Sequence, residues 1–324
     1  MSQESTISNK IIWIDTLKKD PIPVLLKAAP LPVRYQVLRD LIEDDDSDDF
    51  KALQNNLRKH QPRRKRLAEQ NDEGLWPIDG STKGLSEYQI QTLQFLKQIE
   101  VLNELHDLMV TNKQEKVLLG MREVIRYLSE FKPAIRFQYL TQAVFLAIRF
   151  ELDGNPIIKQ LIWDMLNNQN TDGGWSSLPD EPESCIWSSL FFLWAMGHSS
   201  TFQNNRSLKK GLEFAKLHTL SHDSSKLLPG IQAWDTLHTG TSGLSVLSGG
   251  TLRYLETFQL FHKQKRDRKV EKLVDWLLDN QLKNGLWPSI VGKDKQGDHL
   301  VTLRTLKVLK HFQTIRVNET QNYE

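Results

Sequence analysis

Cysteine is almost missing from this sequence. Cys185 stands alone among 324 residues, so no intramolecular disulfide can form. No stretch approaches eighteen consecutive apolar residues, and a membrane-spanning helix is therefore not expected. Charge of one sign is not in excess either: 42 Lys and Arg stand against 40 Asp and Glu, a formal balance of +2. No global field marks the chain as a binder of nucleic acid. The opening segment, Met1 to Lys10, lacks the basic-then-apolar pattern of a signal peptide, and with one cysteine this leads to an expected cytoplasmic location. Also missing are G-x-S-x-G, a Walker loop, a dinucleotide fingerprint and H-E-x-x-H. Their absence removes the common hydrolase, nucleotidase, oxidoreductase and metalloprotease routes.

What is present is a folded chain, 39% apolar and 25% charged, with one internal pattern written three times. Gln70 to Trp76, Gln169 to Trp175 and Gln281 to Trp287 all read Q-x-x-x-G-x-W. A helix-period segment leads into each Gln, as in Ile157, Ile158, Leu161, Ile162, Met165 and Leu166. Each copy is therefore a helix C-terminus. Gly74, Gly173 and Gly285 supply the unusual backbone that ends a helix; Trp76, Trp175 and Trp287 pack over the turn; Gln70, Gln169 and Gln281 bridge exposed carbonyls.

The copies are spaced by about two units of some fifty residues, which predicts degenerate copies near 130 and 220. Amphipathic stretches at Val117 to Phe131 and Leu208 to Leu217 fall there. About six such hairpins span the chain, and a closed or nearly closed ring accommodates them. More apolar helices are expected at Val33 to Ile42, Tyr88 to Leu105, Ile135 to Phe150, Cys185 to Met196, Leu252 to Phe261 and Val301 to Phe312, as an inner layer. Segments such as Ser207 to Lys216 and Val270 to Asn280 carry one charged face and form the outer layer. No alternating strand pattern of useful length occurs. The expected class is all-α, an (α/α)6 toroid over residues 21–315, with an N-terminal extension (1–20) and a C-terminal tail (316–324).

Local charge runs have plain explanations. Glu43 to Asp49 is a solvated acidic turn leading into a helix N-terminus, where carboxylates are favoured. Arg63 to Arg66 is short and balanced by that run, so nucleic-acid binding is not expected. Pro21, Pro23, Pro30 and Pro32 keep the first helices short. Leu228 to Gly250, rich in glycine, is the longest irregular connection and the best candidate for a lid.

The repeated Q-x-x-x-G-x-W, with its alternating polar and apolar helices, resembles the repeat of squalene/hopene-type terpenoid cyclases and protein prenyltransferase β subunits. The likeness covers nearly the whole chain. The layout is most similar to uncharacterised stand-alone bacterial proteins with this repeat, in which segments like Pro32 to Asp40 and Thr302 to Leu306 are found. The resemblance implies a toroid whose central cavity holds an isoprenoid chain. If all inner helices start on one rim, their partial positive charges favour an anion there. A diphosphate could sit on that rim with its tail among Phe145, Leu146, Trp187, Phe191, Phe192, Trp194, Tyr254 and Phe258. Arg34, Arg136 and Arg304, near inner-helix starts, are the anion-binding candidates, followed by Tyr139, Trp187 and Tyr254.

Two reactions belong to that resemblance. The cyclase acid motif D-x-D-D is spelled by Asp46 to Asp49, but in an acidic turn rather than on a late inner helix, and a solvated carboxylate cannot protonate an olefin. Prenyltransferases hold zinc with an Asp, a Cys two residues later and a distant His. Glu183, Cys185 and His299 are the corresponding candidates, with Glu in place of Asp and His299 displaced two residues from the aligned Val301. His218 and His222 share a helix face but read more simply as solvent-side histidines. Catalytic residues are not identified. A different class, a non-catalytic scaffold or a carbohydrate-active α/α barrel, stays open; paired acids for the latter could come only from Glu87, Asp235 and Glu256. No metal or cofactor beyond zinc is suggested, and peripheral membrane contact is left open.

Overall fold

The computed structural model describes residues 13–131, 135–178, 182–220, 234–240, 243–261 and 267–321; the side chains of 243, 244 and 317–321 are outside the description. Helices follow one another along the chain in pairs: α1 (Ile22–Ala28) with α2 (Leu31–Gln36), which runs on into a π-helical turn (Val37–Ile42); α3 (Asp48–Lys59) and α4 (Gln61–Ala68) with α5 (Glu87–Asp107); α6 (Glu115–Phe131) with α7 (Phe137–Arg149); α8 (Pro156–Asn167) with α9 (Ile186–Gly197); α10 (Arg206–Leu217) with α11 (Gly250–Phe261); and α12 (Arg268–Asp279) with α13 (His299–Gln321). No strand occurs among the described residues. The class is all-α, as the patterning requires, and the second helix of each pair falls where an apolar helix is expected.

The pairing follows from where the sequence places caps and apolar stripes. Outer helices begin on short polar caps. Asn155 accepts from the Ile157 and Ile158 amides, Asn205 from Ser207, and Asp267 from Lys269 and Val270. Each then buries a single stripe, such as Val270, Leu273, Val274 and Leu277 on α12. Of the second helices, α9 is covered along almost its full length, and α7 and α11 along most of theirs. Replacing Asn155 by Ala removes the cap of α8 and is expected to cost about 1 kcal/mol, measured as a fall in unfolding free energy.

The chain folds as two compact units. One comprises Met1–Asn56, Gln232–His238 and Ser248–Glu324, and the other Leu57–Ile231 and Thr239–Leu247. In the first, α13 packs against α2, its π-helical turn and α11, while α12 lies behind α11 and α13. The first and last hairpins of the sequence are therefore direct neighbours. Trp13 is buried in this unit, which brings part of the expected N-terminal extension into its core. In the second, α5, α7 and α9 pack side by side as one layer, and α6, α8 and α10 form another behind them. A 3-10 turn, Gly243–Leu247, from the expected lid lies against α7 and α9 with Val246 and Leu247 buried; residues 221–233 of that loop region lie outside the description.

The three repeats are three copies of one joint. Gln70 Nε2 donates to its own turn at the Gly74 carbonyl (2.9 Å) and to Lys116 O at the start of α6 (2.8 Å). Gln169 donates to Gly173 O (2.7 Å) and to Ser207 O of α10 (2.7 Å). Gln281 donates to Gly285 O (2.8 Å) and to Lys19 O (2.6 Å), while its Oε1 accepts from the Lys18 amide (2.8 Å), clipping the last hairpin to the first. Each indole N–H reaches a carbonyl ten residues back, Arg66, Met165 and Leu277, at 2.7–2.8 Å. Gly74, Gly173 and Gly285 have φ of +89°, +94° and +92°, a region side chains disfavour.

Candidate ligand-binding site

Two features of the second helices could serve a ligand, one in each unit. In the first unit, polar and charged residues sit three or four apart on otherwise apolar helices: Gln36 and Asp40 through the π-helical turn, Arg253 and Glu256 on α11, Arg304 and Lys307 on α13. Such spacing puts each pair on one face. Arg304 makes a two-pronged contact with Glu256, Nε to Oε1 at 2.6 Å and Nη2 to Oε2 at 2.7 Å, with both side chains mostly covered. Lys307 Nζ lies 2.5 Å from Asp40 Oδ2 and donates to Gln36 Oε1 at 2.8 Å. Arg39 holds the other side of Asp40 at 2.5 and 3.0 Å and lies over the Tyr35 ring. Lys310 closes the π-helical turn, donating to the carbonyls of Asp40 (2.9 Å) and Leu41 (3.1 Å) and pairing with Glu43.

The electrostatics follow from burial working against these partners. Burial pushes the Arg253 guanidinium down to about 9, with Glu256 resisting and Arg304 assisting, so it is still protonated at neutral pH. Burial also lowers Lys307, against the pull of Asp40. At Asp40 burial acts to raise the carboxyl, but hydrogen bonds and charge from Arg39 and Lys307 outweigh it and hold the group below the usual carboxylate range. Arg39 and Lys307 share Asp40, while Arg253 and Arg304 share Glu256. Arg34 is on the same helix as Gln36, half-buried, with a covered Nε that has no hydrogen-bond partner.

In the second unit the feature is aromatic. Trp187, Phe191, Trp194 and His198 recur along one stripe of α9, and Gln138, Gln142, Phe145 and Arg149 along one stripe of α7. The stripes meet. Phe145 packs tilted against Trp194 at 4.4 Å and lies edge-on to His106 of α5 at 5.6 Å, and Trp194 meets His198 at 5.0 Å. Arg149 Nε donates to His106 Nε2 (2.9 Å) at the far end. Four of the aromatic residues expected to line a cavity, Phe145, Trp187, Phe191 and Trp194, thus share adjoining stripes. Phe192 is turned the other way, onto Trp175 and Phe137.

The remaining sequence candidates are dispersed. Arg136 is the exposed N-cap residue of α7 without a capping side-chain bond, and Tyr139 one turn on is half-buried. Tyr254 is fully buried, stacked on Phe258 (4.3 Å) and edge-on to Trp234, around α11 from the charged face. Arg253, its neighbour, was not singled out by sequence; a charged i,i+3 pair on an apolar helix was the signal available.

The three zinc candidates are placed as follows. Among the described residues no three His, Cys, Asp or Glu side chains are grouped to hold a metal ion. Glu183 is exposed, whereas Cys185 is buried as the N-cap of α9, its amide bonded to Trp175 O at 2.9 Å; His299 belongs to the other unit. Asp46, Asp48 and Asp49 are exposed at the start of α3, as a solvated turn requires. Glu87 is exposed on the first turn of α5, and Glu256 is occupied by Arg304. His218 packs on Phe214 at 4.5 Å; His222 lies outside the described residues. No described helix is long and apolar enough to cross a membrane.

No family model matches the chain, and no curated protein does. Among solved structures it is similar to a protein from Actinoplanes (14% identity, 97% of this chain and 100% of the other, TM-score 0.47). It is also similar to a polysaccharide lyase (11%, 98% and 99%, TM-score 0.48). A third likeness is to a type II terpene cyclase from Scytonema (12%, 82% and 98%, TM-score 0.35).

Proposed function

We propose that this protein binds an isoprenoid or similar apolar chain with an anionic head, a diphosphate being the best-fitting group. The observation that carries the proposal is the cation network of the π-helical turn, α11 and α13. Arginine forks and a lysine placed in a mostly covered setting match a phosphate better than they match water. Within the second unit, taken by itself, the aromatic stripes of α7 and α9 suit an apolar, unsaturated chain. The proposal is of binding.

Calorimetric titration tests it. Inorganic pyrophosphate and geranylgeranyl diphosphate are expected to bind the full chain, the second more tightly. Arg253→Met, which exchanges a buried cation for an apolar side chain of similar length, is expected to weaken both by about tenfold or more while keeping the fold. If neither compound binds, the proposal fails and a scaffold role takes its place. If polyuronate oligomers bind at the same network and prenyl diphosphates do not, the carbohydrate alternative replaces it.

A further inference from the structure

The charged network does not involve Gln138, whose side chain is an anomaly of the second unit. It is the second residue of α7, only 1% exposed, and neither its Nε2 nor its Oε1 has a hydrogen-bond partner. Exchanging the two amide atoms mends nothing, since both are empty. Buried amides with both ends unmade are rare, because each end forfeits its bonds to water on folding. Gln138 also starts the stripe that continues through Gln142, Phe145 and Arg149, and Phe145 of that stripe packs on Trp194. Gln138 lies in the first turn of α7, and Arg136, the N-cap residue, provides no side-chain cap there. Trp187 is the second residue of the adjoining α9 and heads the facing stripe.

We propose that Gln138 is a recognition residue for a hydroxyl group on an otherwise apolar ligand lying along the aromatic stripes. An amide offers a donor and an acceptor side by side. A hydroxyl satisfies both, giving its proton to Oε1 and accepting from Nε2. An ionised diphosphate has only acceptors and would leave Oε1 facing lone pairs. The inference rests on the apolar-chain reading above, and adds that this chain carries a neutral oxygen function where α7 begins.

The test compares geranylgeraniol, the hydrocarbon of the same chain and geranylgeranyl diphosphate, titrated by tryptophan fluorescence against wild type and Gln138→Met. Geranylgeraniol is expected to bind wild type more tightly than the hydrocarbon does and to lose about tenfold in the variant, with hydrocarbon affinity unchanged. The unliganded variant is expected to melt a few degrees (~4 °C) higher, because methionine has no unmet bonds. A lower melting temperature would show that ordered water satisfies the amide structurally, and would overturn the proposal. So would equal binding of the alcohol by both proteins. If the diphosphate binds and the alcohol does not, this inference falls and the previous reading stands; if no prenyl compound binds, both fall.

Discussion

Glu256→Ala is expected to lower the unfolding free energy by about 3–5 kcal/mol, the scale seen when one partner of a covered ion pair is removed. Alanine takes away the carboxylate that accepts both prongs of Arg304 at 2.6 and 2.7 Å and that also faces Arg253. The guanidinium groups lose their shared counter-charge, and it no longer offsets the repulsion between them. Replacing Glu256 and Arg304 together by Met removes both charges of the pair, and most of the loss is expected to return, because burying a matched pair stabilises little over an apolar contact. Urea unfolding of the two variants and wild type distinguishes these outcomes. A loss under 1 kcal/mol for Glu256→Ala would mean that the pair behaves as a solvated surface bridge. Pyrophosphate adds a second readout. If it binds this network, it is expected to raise the stability of Glu256→Ala more than that of wild type, since the anion supplies the missing negative charge.

The same residues show where sequence reasoning reaches its limit. Gln169, Gly173 and Trp175 are legible because everything they do is local: a helix ends, a glycine turns, an indole folds back to a carbonyl ten residues away. The positions of the second helices are legible for a similar reason, because a helix that buries most of its surface must be largely apolar. Arg304 stood out by its place near a helix start. Its partner did not, because nothing in the sequence states that α13 packs against α11 in the register that sets Arg304 on Glu256, forty-eight residues apart. Asp40 and Lys307 come from opposite ends of the chain and meet only because the first and last hairpins are neighbours. Gln138 was hidden differently. A glutamine in the first turn of a helix is ordinary, and only the packed structure shows that its amide is covered and unpaired. Zinc was suggested by a Cys two residues from a carboxylate, a spacing that does not reveal that one side chain is buried and the other exposed.

A second large effect is expected at the repeated joint. The Trp175 ring fills the space over Gly211 of α10, where an added Cβ would stand 2.5 Å from the indole; Trp76 meets Gly120 of α6 in the same way. Trp175 is fully buried and its N–H is bonded to Met165 O at 2.8 Å, so Trp175→Ala is expected to cost about 3–5 kcal/mol. Gly211→Ala alone forces the ring aside. Its cost is expected at about 1–3 kcal/mol, which sets overpacking against the small gain in helix propensity. The two changes should not add. With the indole gone, the alanine methyl enters the vacated space, so Gly211→Ala in the Trp175→Ala background is expected to be neutral or stabilising. The coupling measured by a double-mutant cycle should then reach about 1 kcal/mol or more. Additive losses would mean that the glycine is there for its backbone alone. That alternative is weak, because α10 is regular at Gly211, whereas Gly173, with φ +94°, sits at the turn itself. Gly120 and Trp76 allow the same cycle on a second copy. Agreement between the two would identify the glycine one turn into the next outer helix as part of the repeat, a position that the Q-x-x-x-G-x-W pattern alone does not include.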